Sequence, residues 1–133
     1  MERHVSLLGI LASLWGALAA LVGVSMLLLS AGALVELLAP LEASLSLAAG
    51  LAAVGFALFG VFALVFGGAH IWAAVLLRSH TPFGRILMLA LAIANLLVIP
   101  FGTALGAYAM WVLLKNDTHR LFDPVAADPG TPA

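Results

Sequence analysis

Three long, almost uncharged apolar stretches constrain this chain more than any other feature. They run from Val5 to Leu38, from Leu45 to Leu77 and from Ile86 to Leu114. Each is longer than the ~20 residues that a helix needs to cross the hydrocarbon core of a bilayer. None has the polar face of a soluble amphipathic helix. The pattern predicts an all-α integral membrane protein.

The composition excludes several classes of protein. Of the 133 residues, 65% are hydrophobic and 8% are charged, whereas soluble domains are about 45–50% apolar and about 25% charged. A soluble globular enzyme, a nucleic-acid binder and a disordered protein are therefore excluded. Without cysteine the chain has no disulfide, thiolate nucleophile or iron–sulfur ligand. No phosphate-binding loop, paired carboxylates or Ser/His/Asp set stands out, so we expect no catalytic residues, no metal site and no cofactor.

The third apolar stretch contains a break at Pro100. Proline lacks an N–H and disfavours helical geometry at the preceding residue, Ile99. Gly102 permits the backbone angles of a turn, and Thr103 is a candidate N-cap for a following helix. The stretch is therefore either one kinked span or a tight helical hairpin with its turn at Pro100, Gly102 and Thr103.

The distribution of positive charge favours the hairpin. With four spans and a cytoplasmic N-terminus, all the Lys and Arg residues lie on the cytoplasmic side, as the positive-inside rule expects. With three spans, Lys115 and Arg120 would lie outside. We therefore predict a four-helix transmembrane bundle with both termini in the cytoplasm. The cationic residues are Arg3, Arg78, Arg85, Lys115 and Arg120.

The predicted helix boundaries follow from these spans and from local capping signals. Helix three can begin at Pro82 with Thr81 as its N-cap, and helices three and four form a short antiparallel hairpin. The four helices are expected at about Ser6–Leu38, Ser44–Leu77, Pro82–Ile99 and Ala104–Thr118.

The ends of the chain carry two further expectations. The charged start, Met1 to His4, is like that of a signal peptide, but the apolar run after it is far too long, so we expect an uncleaved first span. Residues 1–122 are predicted to form a single membrane domain. Residues 123–133 hold three of the six prolines and are predicted to be a flexible cytoplasmic tail.

Small residues recur every seven positions in the first two helices. This spacing keeps one seam facing a partner helix, and small side chains let membrane helices approach closely. The seam is either the packing surface between helices one and two or an interface with another chain. Helix four begins with a small-x-x-x-small pattern, for which Ala90 and Ala94 of helix three offer a matching surface. The seam residues are Gly9, Gly16, Gly23 and Ser30 in helix one and Ser46, Ala53, Gly60, Gly67 and Ala74 in helix two. The small residues of the helix-four pattern are Gly102 and Gly106.

Three polar residues lie at similar predicted depth, roughly 10–15 Å from the cytoplasmic face at 1.5 Å per helical residue. They are His70, Asn95 and Tyr108. Polar groups at such depth usually face the bundle and pair with one another. The trio is either a structural clasp, or a proton relay or small-ligand site. No carboxylate lies at this depth, which weakens the case for proton transfer.

The segment from His70 to Phe122 resembles a widespread group of small bacterial membrane proteins. Their signature is a Pro-x-Gly-Thr-x-Leu-Gly-x-Tyr-x-x-Trp-Val-Leu-Leu hairpin, and this sequence matches it in register. The resemblance implies a bacterial inner-membrane protein with the same hairpin, and implies no activity. The matching residues include Pro100, Gly102, Thr103, Gly106, Tyr108 and Trp111.

Three functional hypotheses follow. The first is a non-enzymatic accessory subunit or oligomeric scaffold, with the lipid bilayer, other membrane subunits or further copies of itself as candidate partners. The alternative is a small-solute transporter or channel with a polar site at His70, Asn95 and Tyr108. The third is a haem- or quinone-binding membrane subunit. A haem held by two histidines would need a second intramembrane histidine beside His70.

Overall fold

The computed structural model describes residues 2–38 and 43–115, and within them the fold is entirely helical. Helices account for 91% of these residues, with no strand among them, which confirms the all-α prediction. The four helices are α1 (Glu2–Leu38), α2 (Ala43–Arg78), α3 (Pro82–Asn95) and α4 (Phe101–Leu113).

The two long helices are both long and apolar enough to cross a membrane. Their candidate spans, Arg3–Leu38 and Leu45–Arg78, have mean hydropathies of 2.3 and 2.4. Only 11% and 17% of the most apolar windows are buried within the protein. Neither helix contains a proline, so nothing in the sequence interrupts the backbone hydrogen bonds that each helix makes.

The start of α3 agrees with the sequence prediction. Thr81 has extended backbone angles, and its side chain accepts a hydrogen bond from the N–H of Gly84, while Pro82 occupies the first helical turn. The same hydroxyl donates to the Leu76 carbonyl at 3.0 Å. The preceding residue, His80, has a φ of 53°, a left-handed conformation that reverses the chain between α2 and α3.

The turn between α3 and α4 differs from the prediction. Helix α3 ends at Asn95 rather than Ile99, and α4 begins at Phe101 rather than Ala104. Pro100 takes the N-cap position without a side-chain cap, and its peptide bond with Ile99 is cis. The prediction that Thr103 caps α4 is therefore wrong.

Thr103 and Gly102 serve the turn in other ways. The Thr103 hydroxyl donates across the turn to the Leu96 carbonyl at 3.0 Å. None of the glycines in the described ranges has a positive φ, so Gly102 is not needed for left-handed backbone angles. A Cβ on Gly102 would lie 2.6 Å from the Val98 Cβ and 2.7 Å from the Asn95 carbonyl oxygen. Close approach of the backbone, rather than an unusual conformation, accounts for this glycine.

The chain divides into two compact units. One comprises Met1–Leu14 and His70–Ala133, and the other comprises Trp15–Ala69. The first has an apolar core to which all four helices contribute; its largest fully buried side chains include Leu8, Leu77, Met88 and Leu113. In the second, segments of α1 and α2 pack on each other. The predicted tail, 123–133, lies outside the described residues.

Candidate functional site

The structure brings two of the three predicted polar residues together. His70 of α2 and Asn95, the last residue of α3, are both buried, with exposures of 0% and 1%. Asn95 Nδ2 lies 2.7 Å from His70 Nε2. The pair therefore joins α2 to the end of α3 through a hydrogen bond between two buried side chains.

Tyr108 does not join this pair. Its hydroxyl lies 3.2 Å from Nδ1 of His4, near the start of α1. Its ring stacks on Trp111, with centroids 6.2 Å apart. The predicted cluster of three is thus two separate contacts, one buried and one at the surface.

The surface contact belongs to a small aromatic and cationic group that sequence reasoning missed. The His4 ring meets Trp111 edge-on at 5.8 Å, and the Lys115 ammonium lies 4.1 Å from the centre of the same indole. Tyr108, Trp111 and Lys115 stand three and four residues apart, a spacing that brings side chains together on one helix face. That spacing could have indicated the contacts among these three side chains. Nothing in the sequence indicated that His4 would complete it.

The buried polar atoms are internally satisfied. Among residues 2–38 and 43–115, no buried side-chain nitrogen or oxygen lacks a hydrogen-bond partner. Over the same ranges, no group of three or more His, Cys, Asp or Glu side chains could hold a metal ion. A site for a polar ligand usually keeps donors or acceptors available for it. The His70–Asn95 pair has the character of a clasp between two helices.

In the unit Trp15–Ala69, the structure places the two rows of small residues against each other. A Cβ on Gly67 would lie 2.5 Å from the Gly16 carbonyl oxygen, and a Cβ on Gly23 would lie 2.8 Å from that of Gly60. These spacings leave no room for a side chain, so α1 and α2 approach as closely as backbones allow.

A hydrogen bond extends the same seam. Ser30 is buried, and its hydroxyl donates to the Ala53 carbonyl at 2.8 Å. Each step of seven residues forward along α1 thus matches a step of seven back along α2, as in an antiparallel pair. Of the two interpretations, the one in which helices one and two pack on each other describes this contact.

The unit Met1–Leu14 with His70–Ala133 contains the remaining pair of the seam. A Cβ on Gly9 would lie 3.6 Å from the Ala74 carbonyl and 3.3 Å from Nε of Arg78. The Arg78 side chain therefore lies over Gly9 at the end of α2, and its long apolar stem covers the start of α1.

Helices α3 and α4 also meet through glycine, at a different place from the one predicted. A Cβ on Gly106 would lie 2.5 Å from the Ala92 carbonyl oxygen. Ala92 is buried, whereas Ala90 is exposed, so the expectation that Ala90 and Ala94 form the matching surface is wrong. The contact lies on the opposite face of α3, since residues two apart in a helix point to opposite sides.

Two further contacts position the hairpin. A Cβ on Gly84 would lie 2.6 Å from the Leu76 backbone, so the first turn of α3 lies directly on α2. The Nε of Arg85 donates to the Leu113 carbonyl at 3.2 Å, which satisfies an acceptor in the last turn of α4.

Comparisons with known proteins provide no relative from which a function could be carried over. No protein-family model, curated protein or solved structure matches the chain. The resemblance of residues 70–122 to small bacterial membrane proteins therefore stays a prediction.

Proposed function

We propose that this chain is a non-enzymatic integral protein of the bacterial inner membrane that acts as an accessory subunit or oligomeric scaffold. The observation that carries the proposal is the exposure of its apolar helices. Along α1 and α2, large side chains such as Leu14, Leu28 and Leu58 are each more than 60% exposed. Apolar surface of this extent is stable only in lipid or against other membrane helices.

The charged residues support one orientation in the membrane. The unit Met1–Leu14 with His70–Ala133 contains the cationic residues Arg3, Arg78, Arg85 and Lys115. The acidic residue Glu36 instead lies in the last turn of α1. Cytoplasmic segments next to membrane helices are enriched in Lys and Arg. We infer that the cationic ends of α1, α2 and α4 face the cytoplasm.

The geometry favours the subunit role over transport. A transport path through His70, Asn95 and Tyr108 would need the three side chains to converge, and the Tyr108 hydroxyl instead meets His4. The haem hypothesis is weakened in a similar way, because His70 Nε2 is engaged by Asn95. The remaining features, closely packed glycines and satisfied polar groups, are those of a rigid helical scaffold.

Membrane extraction tests the location. Membranes that contain the full-length chain would be washed with alkaline carbonate, and we expect the protein to stay in the pellet. Recovery in the supernatant would contradict an integral location. A reporter enzyme that is active only in the periplasm, fused to the C-terminus, should be inactive, whereas a cytoplasmic fluorescent reporter at the same site should be bright.

Mass measurement of the gently solubilised protein tests the subunit role. A monomer has a mass of 13.7 kDa. We expect a discrete larger assembly, either a multiple of this mass or a complex with a partner in constant stoichiometry. A folded monomer that persists across mild detergents and lipid nanodiscs would contradict the subunit and scaffold roles, while leaving the membrane location intact.

A further inference from the structure

The two helices of the hairpin are short for membrane spans. With 14 and 13 residues, α3 and α4 are about 21 and 20 Å long at 1.5 Å per residue. A hydrocarbon core is about 30 Å thick, and apolar helices of about 10–14 residues are more typical of buried or re-entrant segments. Their lengths alone therefore do not favour two further crossings.

The His70–Asn95 bond sets how deep the hairpin reaches beside α2. Asn95 ends α3, and the turn to α4 follows it directly. Its partner His70 is followed by only eight residues of α2, up to Arg78, whereas 27 residues of that helix precede it. At 1.5 Å per residue, His70 stands about 12 Å from the Arg78 end of α2. The end of α3 is held at that level.

The contact at Gly84 shows that α3 crosses α2 obliquely. Gly84 touches Leu76, and Asn95 bonds to His70. Between these points α3 advances eleven residues, about 16 Å, whereas α2 advances six residues, about 9 Å. The hairpin therefore penetrates by less than its own length.

The tip of the hairpin is apolar. Leu97, Ile99 and Phe101 are 86%, 81% and 73% exposed, with no charged residue between them. A turn that emerged into water would solvate all three side chains, which is unfavourable. Their chemistry fits the acyl interior of the bilayer.

Much of the backbone of the tip is satisfied internally. The N–H groups of Leu97 and Val98 donate to Ala94 and Asn95, and the N–H of Thr103 donates to Val98. Pro100 has no N–H to satisfy. Irregular backbone at membrane depth is tolerated where protein covers it or water reaches it, so the other N–H groups of the turn, those of Ile99, Phe101 and Gly102, call for one of these.

We propose that the α3–α4 hairpin is re-entrant. It enters the bilayer from the face at which Arg78 lies, turns near the middle of the hydrocarbon at Leu97–Phe101, and returns to the same face at Lys115. The proposal rests on the membrane location proposed above. It replaces four spans with two spans and one re-entrant hairpin, and it keeps both ends of the described chain on one side.

Labelling of single cysteines tests this topology. The sequence contains no cysteine, so each introduced cysteine is the only thiol that can react. Leu97→Cys reports the tip of the hairpin, and Leu38→Cys is a matched control, since these leucines are 86% and 87% exposed. Ser79→Cys reports the turn between α2 and α3. Each full-length variant would be treated with a membrane-impermeant maleimide in right-side-out and inverted vesicles, and again after detergent solubilisation.

We expect Ser79→Cys and Leu38→Cys to react from opposite faces of the vesicles. Leu97→Cys should react in detergent but never from the face that labels Leu38→Cys, and Ile99→Cys should behave in the same way. Labelling of Leu97→Cys or Ile99→Cys from the Leu38 face would overturn the re-entrant hairpin and restore four spans. If Ser79→Cys and Leu38→Cys instead react from one face, α1 and α2 do not span, and the membrane topology in the proposed function fails.

Discussion

The side-chain amide of Asn95 lies 2.7 Å from Nε2 of His70, and this contact joins the end of α3 to a point eight residues before the end of α2. Both side chains are fully buried. A hydrogen bond of this kind locks the position of one helix against another, because the alternative leaves two polar groups in an apolar core.

Replacing both His70 and Asn95 should lower the free energy of unfolding by less than the sum of the losses in the two single variants. We expect Asn95→Leu and His70→Leu each to lower the melting temperature in detergent, and the double variant to show a coupling on the order of 1 kcal/mol. Tyr108→Phe combined with Asn95→Leu is the control and should be additive, because the Tyr108 hydroxyl meets His4. Additive losses at Asn95 and His70 would contradict the clasp.

Two adjacent glycines of α2 should respond in opposite ways to alanine. A Cβ on Gly67 would lie 2.5 Å from the Gly16 carbonyl and 2.8 Å from the Ala20 nitrogen, whereas a Cβ on Gly68 would meet nothing within 4 Å. Gly67→Ala should therefore destabilise by about 1–3 kcal/mol, the usual cost of overpacking. Gly68→Ala should be neutral or stabilising by up to ~1 kcal/mol, because alanine favours helix. Equal melting temperatures for the two variants would show that the seam is not a close contact.

Substitutions can distinguish the capping role of Thr81 at the start of α3 from an ordinary hydroxyl contact. Thr81→Ala removes the acceptor of the Gly84 N–H and should cost about 1 kcal/mol of unfolding free energy. Thr81→Ser should retain most of the stability, because serine also caps helices. Ser79→Ala is the control, since the Ser79 hydroxyl also donates to the Leu76 carbonyl but does not lie at the start of α3. A larger loss for Ser79→Ala than for Thr81→Ala in chemical denaturation would contradict this role.

The left-handed residue before α3 should discriminate between side chains of different shape. His80 has a φ of 53°, a region that asparagine adopts far more readily than a β-branched residue. Both His80→Asn and His80→Val lose the imidazole, so their difference isolates the backbone effect. We expect His80→Val to be less stable by about 1–2 kcal/mol, on the scale of left-handed strain. Identical unfolding curves would argue against strain at this position.

Local signals and helix periodicity predicted much of the fold. Thr81 and Pro82 identified the start of α3, because a cap depends on adjacent residues alone. The spacing of seven in both long helices predicted which face of each helix is in contact, since a repeated period holds one face along the whole helix. The turn at Pro100 was misplaced by several residues, because the contacts that shape it, such as Thr103 with Leu96, lie across the turn.

Counting residues from the charged ends gives an expected depth for His70, Asn95 and Tyr108 but carries no information on the direction of each side chain. It therefore did not indicate that the Tyr108 hydroxyl meets His4 rather than the buried pair. The same limitation explains why Ala90 and Ala94 were expected beside Gly106 when Ala92 is there. The rotation of each short helix about its axis is set by tertiary packing, which no single helix encodes.

The row of small residues has a consequence for how α1 and α2 find their alignment. A pattern that repeats every seven residues on both helices would allow them to slide by one repeat and present small residues to each other again. Glycine and alanine cannot distinguish such neighbouring alignments, because they have no group that selects a partner. Ser30 does not distinguish them either, since its hydroxyl donates to the backbone carbonyl of Ala53 and every residue carries such an acceptor. The connection between the helices does, because only four residues separate Leu38 from Ala43 and a slip of one repeat would move one helix by about 10 Å along the other.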